Sequence, residues 1–151
     1  MSRKAIRYWA TRAAFGWLVL LAAQGLWTVL DGGSLGAHLA GLVATAVLAA
    51  AHVAVMPRWR YRVHRWEATD QAVYTQSGWL NQERRIAPVS RIQTVDTERG
   101  PFEQLFGLVN VTVTTASAAG PLKIHGLDRG TAERLVADLT TNTQAERGDA
   151  T

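Results

Sequence analysis

Two apolar stretches near the N-terminus contain no charged residue, and they restrict the fold more than any other feature. Residues 14–30 and 37–56 lack Asp, Glu, Lys and Arg. Each comes close to the roughly 20 residues that cross a hydrocarbon core as a helix. The four residues between them, Asp31 to Ser34, suit a tight turn. The pair predicts a transmembrane hairpin over residues 14–56, and the second stretch follows too closely for the first to be a cleaved signal peptide.

Basic residues lie at both open ends of this hairpin, whereas the turn carries only the acid Asp31. The positive-inside rule therefore predicts a multi-pass protein of the cell membrane with both termini in the cytoplasm. Residues 1–13 are expected to form a basic cytoplasmic tail, and membrane lipids are the expected partners of the anchor. The expected interfacial anchors are Arg7, Trp9, Arg12, Arg58, Trp59, Arg60, Tyr61 and Arg62.

The distribution of charge and the absence of cysteine exclude several classes of protein. The chain has a net charge of +4 and no cysteine. From Glu67 onward, acidic residues outnumber basic ones, so the excess positive charge flanks the apolar stretches. A nucleic-acid-binding domain would carry its basic footprint on the folded part, so no nucleic-acid partner is expected. Disulfides, thiolate zinc sites and cysteine nucleophiles are also excluded.

The remainder of the chain, residues 57–143, reads as short strands followed by one helix. Residues 108–115 alternate apolar and polar side chains, which is typical of a half-buried strand. Within residues 91–97, Ile92 and Val95 differ in parity, which a β-bulge would reconcile. The apolar stripe of the terminal helix is Ala132, Leu135, Val136 and Leu139, and Asp128 can cap that helix.

The boundaries of these elements follow from turn and breaker residues. Pro57 is expected to end the second apolar helix, and residues 59–66 then alternate as a strand leaving the membrane. Further strands are expected over residues 72–76, 79–86 and 122–125. Residues 144–151 are polar and are expected to form a disordered tail. The pattern predicts an all-β domain with a terminal helix.

Three segments resemble the signature of a known family. They are residues 88–93 (PVSRIQ), the pair Gly100-Pro101 and residues 105–108 (LFGL). Together they resemble the YdbS-like family of small bacterial membrane proteins with a PH-like domain (DUF304, bPH2). The resemblance implies a two-helix anchor followed by a PH-like barrel of two packed antiparallel sheets, with a C-terminal amphipathic helix. Gln104 departs from the basic residue that the resemblance would place there.

No residue pattern points to catalysis, a cofactor or a metal site. Asp96 and Glu98 share a strand face, but no histidine lies near them in sequence and no glycine-rich phosphate loop exists. His64 and His125 stand alone on their predicted strands, where surface or rim positions are expected. His38 and His52 lie in the hairpin, and hydrogen bonding is favoured over haem or metal ligation. The prediction is a non-enzymatic protein.

Two functions remain, from different classes. The first is an interaction module that docks a partner membrane protein, either another protein with a PH-like domain or a second copy of itself. The alternative is a lipid headgroup sensor, although the turn at residues 69–71 has no basic residue to support it.

The candidate interaction surface is Phe102, Leu105 and Phe106, which one helical turn would place on one side. We expect these side chains to tuck under the sheets as a satellite cluster. The functional alternative is that at least Phe102 faces outward.

Overall fold

The computed structural model describes residues 1–78 and 81–149. The chain divides into two compact units, one of Ile6–Trp59 and one of Met1–Ala5 with Arg60–Thr151. The first unit holds most of the two apolar helices. The second holds the β-domain, and each unit is considered separately below.

Two long helices contain the apolar stretches: α1 spans Lys4–Leu30 and α2 spans Leu35–Val63. By length and composition both could cross a membrane. The segment of residues 1–13, which was expected as a basic tail, is helical from Lys4. The expected break at Pro57 is wrong, because α2 continues through that residue. A proline removes one backbone hydrogen bond, but the turns on either side can persist.

The described residues of the β-domain form six strands, a short 3₁₀ turn and two further α-helices. They are β1 (Arg65–Ala68), β2 (Ala72–Gly78), β3 (Gln82–Pro88), a 3₁₀ turn (Val89–Arg91), β4 (Ile92–Glu98), α3 (Pro101–Phe106), β5 (Leu108–Thr115), β6 (Leu122–Asp128) and α4 (Arg129–Asp149). The strands form two antiparallel sheets in the orders β1-β2-β3 and β4-β5-β6. The expected PH-like arrangement of two antiparallel sheets followed by a C-terminal helix is confirmed, and each sheet has three strands in the described residues.

Several predicted boundaries need correction. Residues 59–63 are helical rather than extended, so the first strand begins only at Arg65. β3 begins at Gln82, and Trp79 and Leu80 of the predicted strand 79–86 lie outside the described residues. The predicted disordered tail is helical through Asp149, because a growing helix extends through polar residues that do not break it. Ala150 and Thr151 lie outside the described residues.

The C-terminal helix closes the core as its apolar stripe predicts. Ala132, Leu135 and Leu139 are buried in the same cluster as side chains from both sheets, and Val136 packs against that cluster. The Thr131 backbone N–H donates to Asp128 Oδ1 at 3.0 Å, which confirms the expected N-cap. The hydrogen bond from the Thr131 hydroxyl, followed by this backbone bond, lowers the pKa of the Asp128 carboxyl.

The pairing register of the second sheet shifts at two places in the described strands. The pairing of β4 with β5 shifts between Ile92 and Thr94, where parity predicted a bulge. A second shift lies between Val109 and Val111 in the pairing of β5 with β6. There the Gly126 backbone N–H donates to Asn110 Oδ1 at 3.0 Å, so the side chain replaces a ladder bond. Gly126 has φ 69°, a conformation that glycine adopts without strain.

One arginine joins the two sheets through hydrogen bonds. Arg85 lies on β3, and its guanidinium donates to the backbone carbonyls of Ala119, Gly120 and Pro121 at 2.5, 2.6 and 2.6 Å. These three residues belong to the connection between β5 and β6. Charged donors make stronger hydrogen bonds than neutral ones, so this contact fixes the first sheet against the second.

Candidate functional site

The short helix α3 is built by its two terminal glycines and one proline. Gly100 is the N-cap in an extended conformation, and Pro101 occupies the first helical turn, where a missing N–H costs nothing. Gly107 ends the helix in the left-handed conformation with φ 65°, which glycine adopts freely. The Gly107 N–H donates to the Gln104 carbonyl at 3.1 Å. The sequence Gly-Pro and the following Gly thus set both ends of α3.

Polar contacts hold α3 in place on the second sheet. Asn110 Nδ2 on β5 donates to Glu103 Oε1 at 3.4 Å. Gln104 Nε2 donates to the Arg99 carbonyl at 3.4 Å, and Arg99 Nε donates to the Leu108 carbonyl at 3.3 Å. Gln104, the departure from the family resemblance, therefore contributes to the local structure of this connection. These bonds join both ends of α3 to the strands around it.

The exposed face of α3 carries large apolar side chains. Phe102 is 49% exposed and Leu105 is 78% exposed, whereas Phe106 is half-buried. The expected satellite cluster is therefore wrong for Phe102 and Leu105. Phe102 and Leu105, three residues apart, lie on the solvent side of the helical turn, whereas Glu103 and Phe106 are half-buried. We refer to Phe102 and Leu105 as the α3 surface.

A concave surface on the first sheet is the second candidate region. Arg65 on β1 pairs with Gln76 on β2, and Gln76 pairs with Arg84 on β3. Because paired residues of an antiparallel sheet point to the same face, these three side chains form one row across the sheet. We refer to Arg65, Gln76 and Arg84 as the basic row. The sequence analysis did not bring these three residues together, because they are far apart in the chain.

The basic row lines a pocket of about 870 Å³. Glu67, Tyr74 and Ile86 form the neighbouring row on the same face, and Arg62, from the last turn of α2, also lines the pocket. Tyr61 lies at the same pocket, and its hydroxyl donates to the Met1 carbonyl at 3.5 Å.

The predicted interfacial anchors differ in exposure. Arg7, Arg12, Arg58, Trp59 and Arg62 are exposed, and Arg60 and Tyr61 are half-buried. Trp9 differs from the others, because protein covers its ring and leaves it only 4% exposed. Tyr61 and Arg62 line the pocket of the β-domain, an assignment that their place in the sequence did not suggest.

Two histidines of the β-domain lie together, contrary to the expected isolated surface positions. His64 connects α2 to β1, is 7% exposed and has its ring centroid 5.9 Å from that of His125. Burial, followed by the charges of His125 and Arg60, lowers the pKa of His64 to about 4. Burial also lowers the pKa of His125, with Arg60 as the next cause. Both rings are therefore neutral near pH 7.

The histidines of the hairpin form hydrogen-bonded contacts. Trp17 Nε1 donates to His52 Nδ1 at 2.9 Å, and His38 Nε2 lies 3.3 Å from Asp31 Oδ2. These contacts agree with the hydrogen-bonding role favoured for both residues. Within residues 1–78 and 81–149, no group of three or more potential metal ligands is found.

Comparisons with known proteins agree with this fold. A family model described as "Bacterial PH domain" matches residues 14–143. The UPF0699 transmembrane protein YdbS of Bacillus subtilis (strain 168) is 34% identical over 83 residues, which is 55% of this chain. The match spans 51% of that relative, so the chain covers about half the length of the curated relative it matches. No solved structure matches significantly.

Proposed function

Because the chain belongs to the bacterial PH domain family, we propose that it is a non-catalytic interaction module that docks a partner membrane protein through the α3 surface. The family match, the named relative and the two apolar helices make it a membrane protein with a PH-like domain. The docking activity is the new element of the proposal, and the anchor would keep the β-domain within reach of other membrane proteins.

The observation that carries the proposal is the exposure of Phe102 and Leu105 on a helix that is fixed at both ends. A loop between strands ordinarily presents polar side chains to water, and adjacent exposed apolar side chains mark interaction sites. The bonds from Asn110 and Gln104 hold α3 in one position, so little conformational entropy would be lost when a partner binds. An aromatic and an aliphatic anchor on a rigid support suit a docking interface.

The partner that we propose is a second membrane protein with a PH-like domain, or another copy of this chain. A similar anchor would hold either partner in the same membrane as this chain. The relative named above supports this only in kind, since it is itself described as a transmembrane protein.

Site-specific photo-crosslinking in native membranes tests the proposal. A photoreactive phenylalanine analogue at Leu105 of the full chain should give a discrete crosslinked product. The matched control places the same analogue at Ala137, an exposed position on α4. Equal crosslinking from both positions, or none from Leu105, would contradict docking through α3.

The substitution Phe102→Ala separates docking from folding. At a position with half of its surface exposed and outside the buried cluster, we expect the free energy of unfolding to stay within about 0.5 kcal/mol of the original. The crosslink from Leu105 should be lost, because truncation of an interface anchor typically costs more than about 1 kcal/mol of binding. The thermal midpoint in detergent and the crosslink yield are the two measurements. A stable variant that still crosslinks fully would show that Phe102 is not part of the interface.

A further inference from the structure

The outer face of the first sheet brings together positive charges that are far apart in the sequence. Arg65 and Arg84 lie on β1 and β3, on either side of Gln76, in one row. Two interstrand spacings separate their backbones, about 10 Å. Arginine side chains are long enough to converge on one group from such positions, and Arg62 lines the same pocket from α2.

These guanidinium groups have no carboxylate partner in the described part of the chain. The ion pairs found there are His38 with Asp31, Arg85 with Glu83, and Arg129 with Glu133. Arg62, Arg65 and Arg84 take part in none of them. Among the described residues, Glu67 is the one acid that lines the pocket, and it forms none of these ion pairs; Glu83, the partner of Arg85, lies outside the lining. The described lining therefore carries an excess of positive charge.

The pocket also offers apolar and aromatic surface beside the charges. Tyr74 is 42% exposed and Ile86 is 65% exposed, and they are paired with each other in the row next to the basic row. Tyr61 adds a second aromatic side chain to the lining. The pocket volume of about 870 Å³ lies within the range of roughly 300–1,000 Å³ that small-molecule sites occupy. Charge on one side and apolar surface on the other suit a ligand with two chemically different ends.

We propose that this pocket binds an anionic ligand that carries a phosphate group and an apolar body. Arginine recognises phosphate because its planar fork donates two parallel hydrogen bonds to the oxygens. Arg65, Arg84 and Arg62 hold the phosphate, while Tyr74 and Ile86 contact the apolar body. The same chemistry is found in an anionic phospholipid at the membrane surface and in a soluble phosphorylated molecule. The site is separate from the α3 surface and does not depend on the docking function.

The test uses the full chain in phosphatidylcholine nanodiscs, with two arms that distinguish the two sources of phosphate. In the soluble arm, phenyl phosphate is titrated and its binding is followed by ligand-observed NMR, with phenol as the matched compound that lacks the phosphate. In the lipid arm, nanodiscs contain phosphatidylglycerol mixed with phosphatidylcholine, and native mass spectrometry counts the lipids retained on the released protein. Saturable binding in the first arm assigns a soluble ligand, and selective retention of phosphatidylglycerol in the second assigns a lipid.

Three substitutions complete the design. Arg84→Gln and Arg65→Gln should each weaken the binding by at least about tenfold, since a hydrogen bond to a charged group contributes roughly 1.5–3 kcal/mol. Arg134→Gln removes the same charge from an exposed position on α4 and should leave the binding unchanged. Both pocket residues are exposed, so the fold should be retained, which thermal unfolding checks.

Two results would overturn the proposal. One is the absence of phosphate-dependent binding in both arms. The other is an equal loss in Arg134→Gln, which would show a general effect of charge rather than a site. The Leu105 crosslink should persist in Arg84→Gln, so failure of the phosphate site and failure of the docking function are distinguishable.

Discussion

At the scale of single residues, burial changes the chemistry of His64 more than its sequence context does. A histidine beside arginines on a surface strand would titrate near its ordinary pKa of 6.5. Because His64 is buried next to His125, its pKa falls to about 4. The folded protein therefore binds a proton to this ring less readily than the unfolded chain does.

Stability should consequently fall as the solution is acidified. The unfolded chain protonates His64 below about pH 6.5, whereas the folded chain does so only near pH 4, so stabilisation present above pH 6.5 is lost between these values. The shift in the pKa of His64 corresponds to at most about 3–4 kcal/mol of stability. His125 acts in the same direction. The carboxyl of Asp128 contributes only at still lower pH, because its pKa lies below 3.8. Thermal unfolding of the detergent-solubilised chain between pH 7.5 and 4.5 measures this dependence.

The variant His64→Gln provides the comparison for this prediction. It removes the titrating ring and should flatten the dependence of the thermal midpoint on pH. A slope as steep as that of the original protein would show that other groups cause the acid sensitivity.

At the scale of elements, α4 completes the hydrophobic core that both sheets share. Leu135 is 3% exposed within the shared core, whereas its neighbour Asp138 faces solvent. We expect Leu135→Ala to reduce the free energy of unfolding by about 2–5 kcal/mol through lost contacts and a residual cavity. Asp138→Ala, on the same helix, should change it by less than about 0.5 kcal/mol. Equal thermal midpoints for the two variants would mean that α4 does not close the core.

The sequence pattern was sufficient to predict those elements whose periodicity and boundaries depend only on residues close together in the chain. The alternating valines gave β5 with the bounds that the structure shows, and the stripe of α4 gave its buried face. The prediction that Pro57 ends α2 was wrong, because it considered only the one backbone hydrogen bond that proline removes. The turns on either side of Pro57 keep the helix intact. The basic row could not be predicted, because Arg65, Gln76 and Arg84 meet only through strand register. Which side chains of α3 would be exposed could not be predicted either, because this depends on the side of the helix that the sheet covers.

At the scale of the whole molecule, the basic flanks remain the basis for orientation. Arg and Lys are concentrated before α1 becomes apolar and near the end of α2, and Asp31 alone is charged in the turn between them. The positive-inside rule then leads us to expect both termini in the cytoplasm. A fusion of alkaline phosphatase, which is active only outside the cytoplasm, should be inactive after residue 151 and active when inserted at Gly33. Activity of the C-terminal fusion would reverse the orientation, and the docking partner would then lie on the other side of the membrane.

The contact of Arg85 with three consecutive backbone carbonyls has a consequence for how this domain can change over generations. The acceptors are backbone oxygens, which are present whatever side chains occupy positions 119–121. The contact between the sheets therefore depends on the identity of one side chain, Arg85, and not on two side chains that must suit each other. The side chains at positions 119 and 121 can therefore vary as long as the path of the connection is kept, whereas position 85 cannot; position 120 is restricted separately, because its φ of 77° favours glycine. Among natural variants, we expect arginine at position 85 to be retained while positions 119 and 121 vary, with no correlated substitution between them.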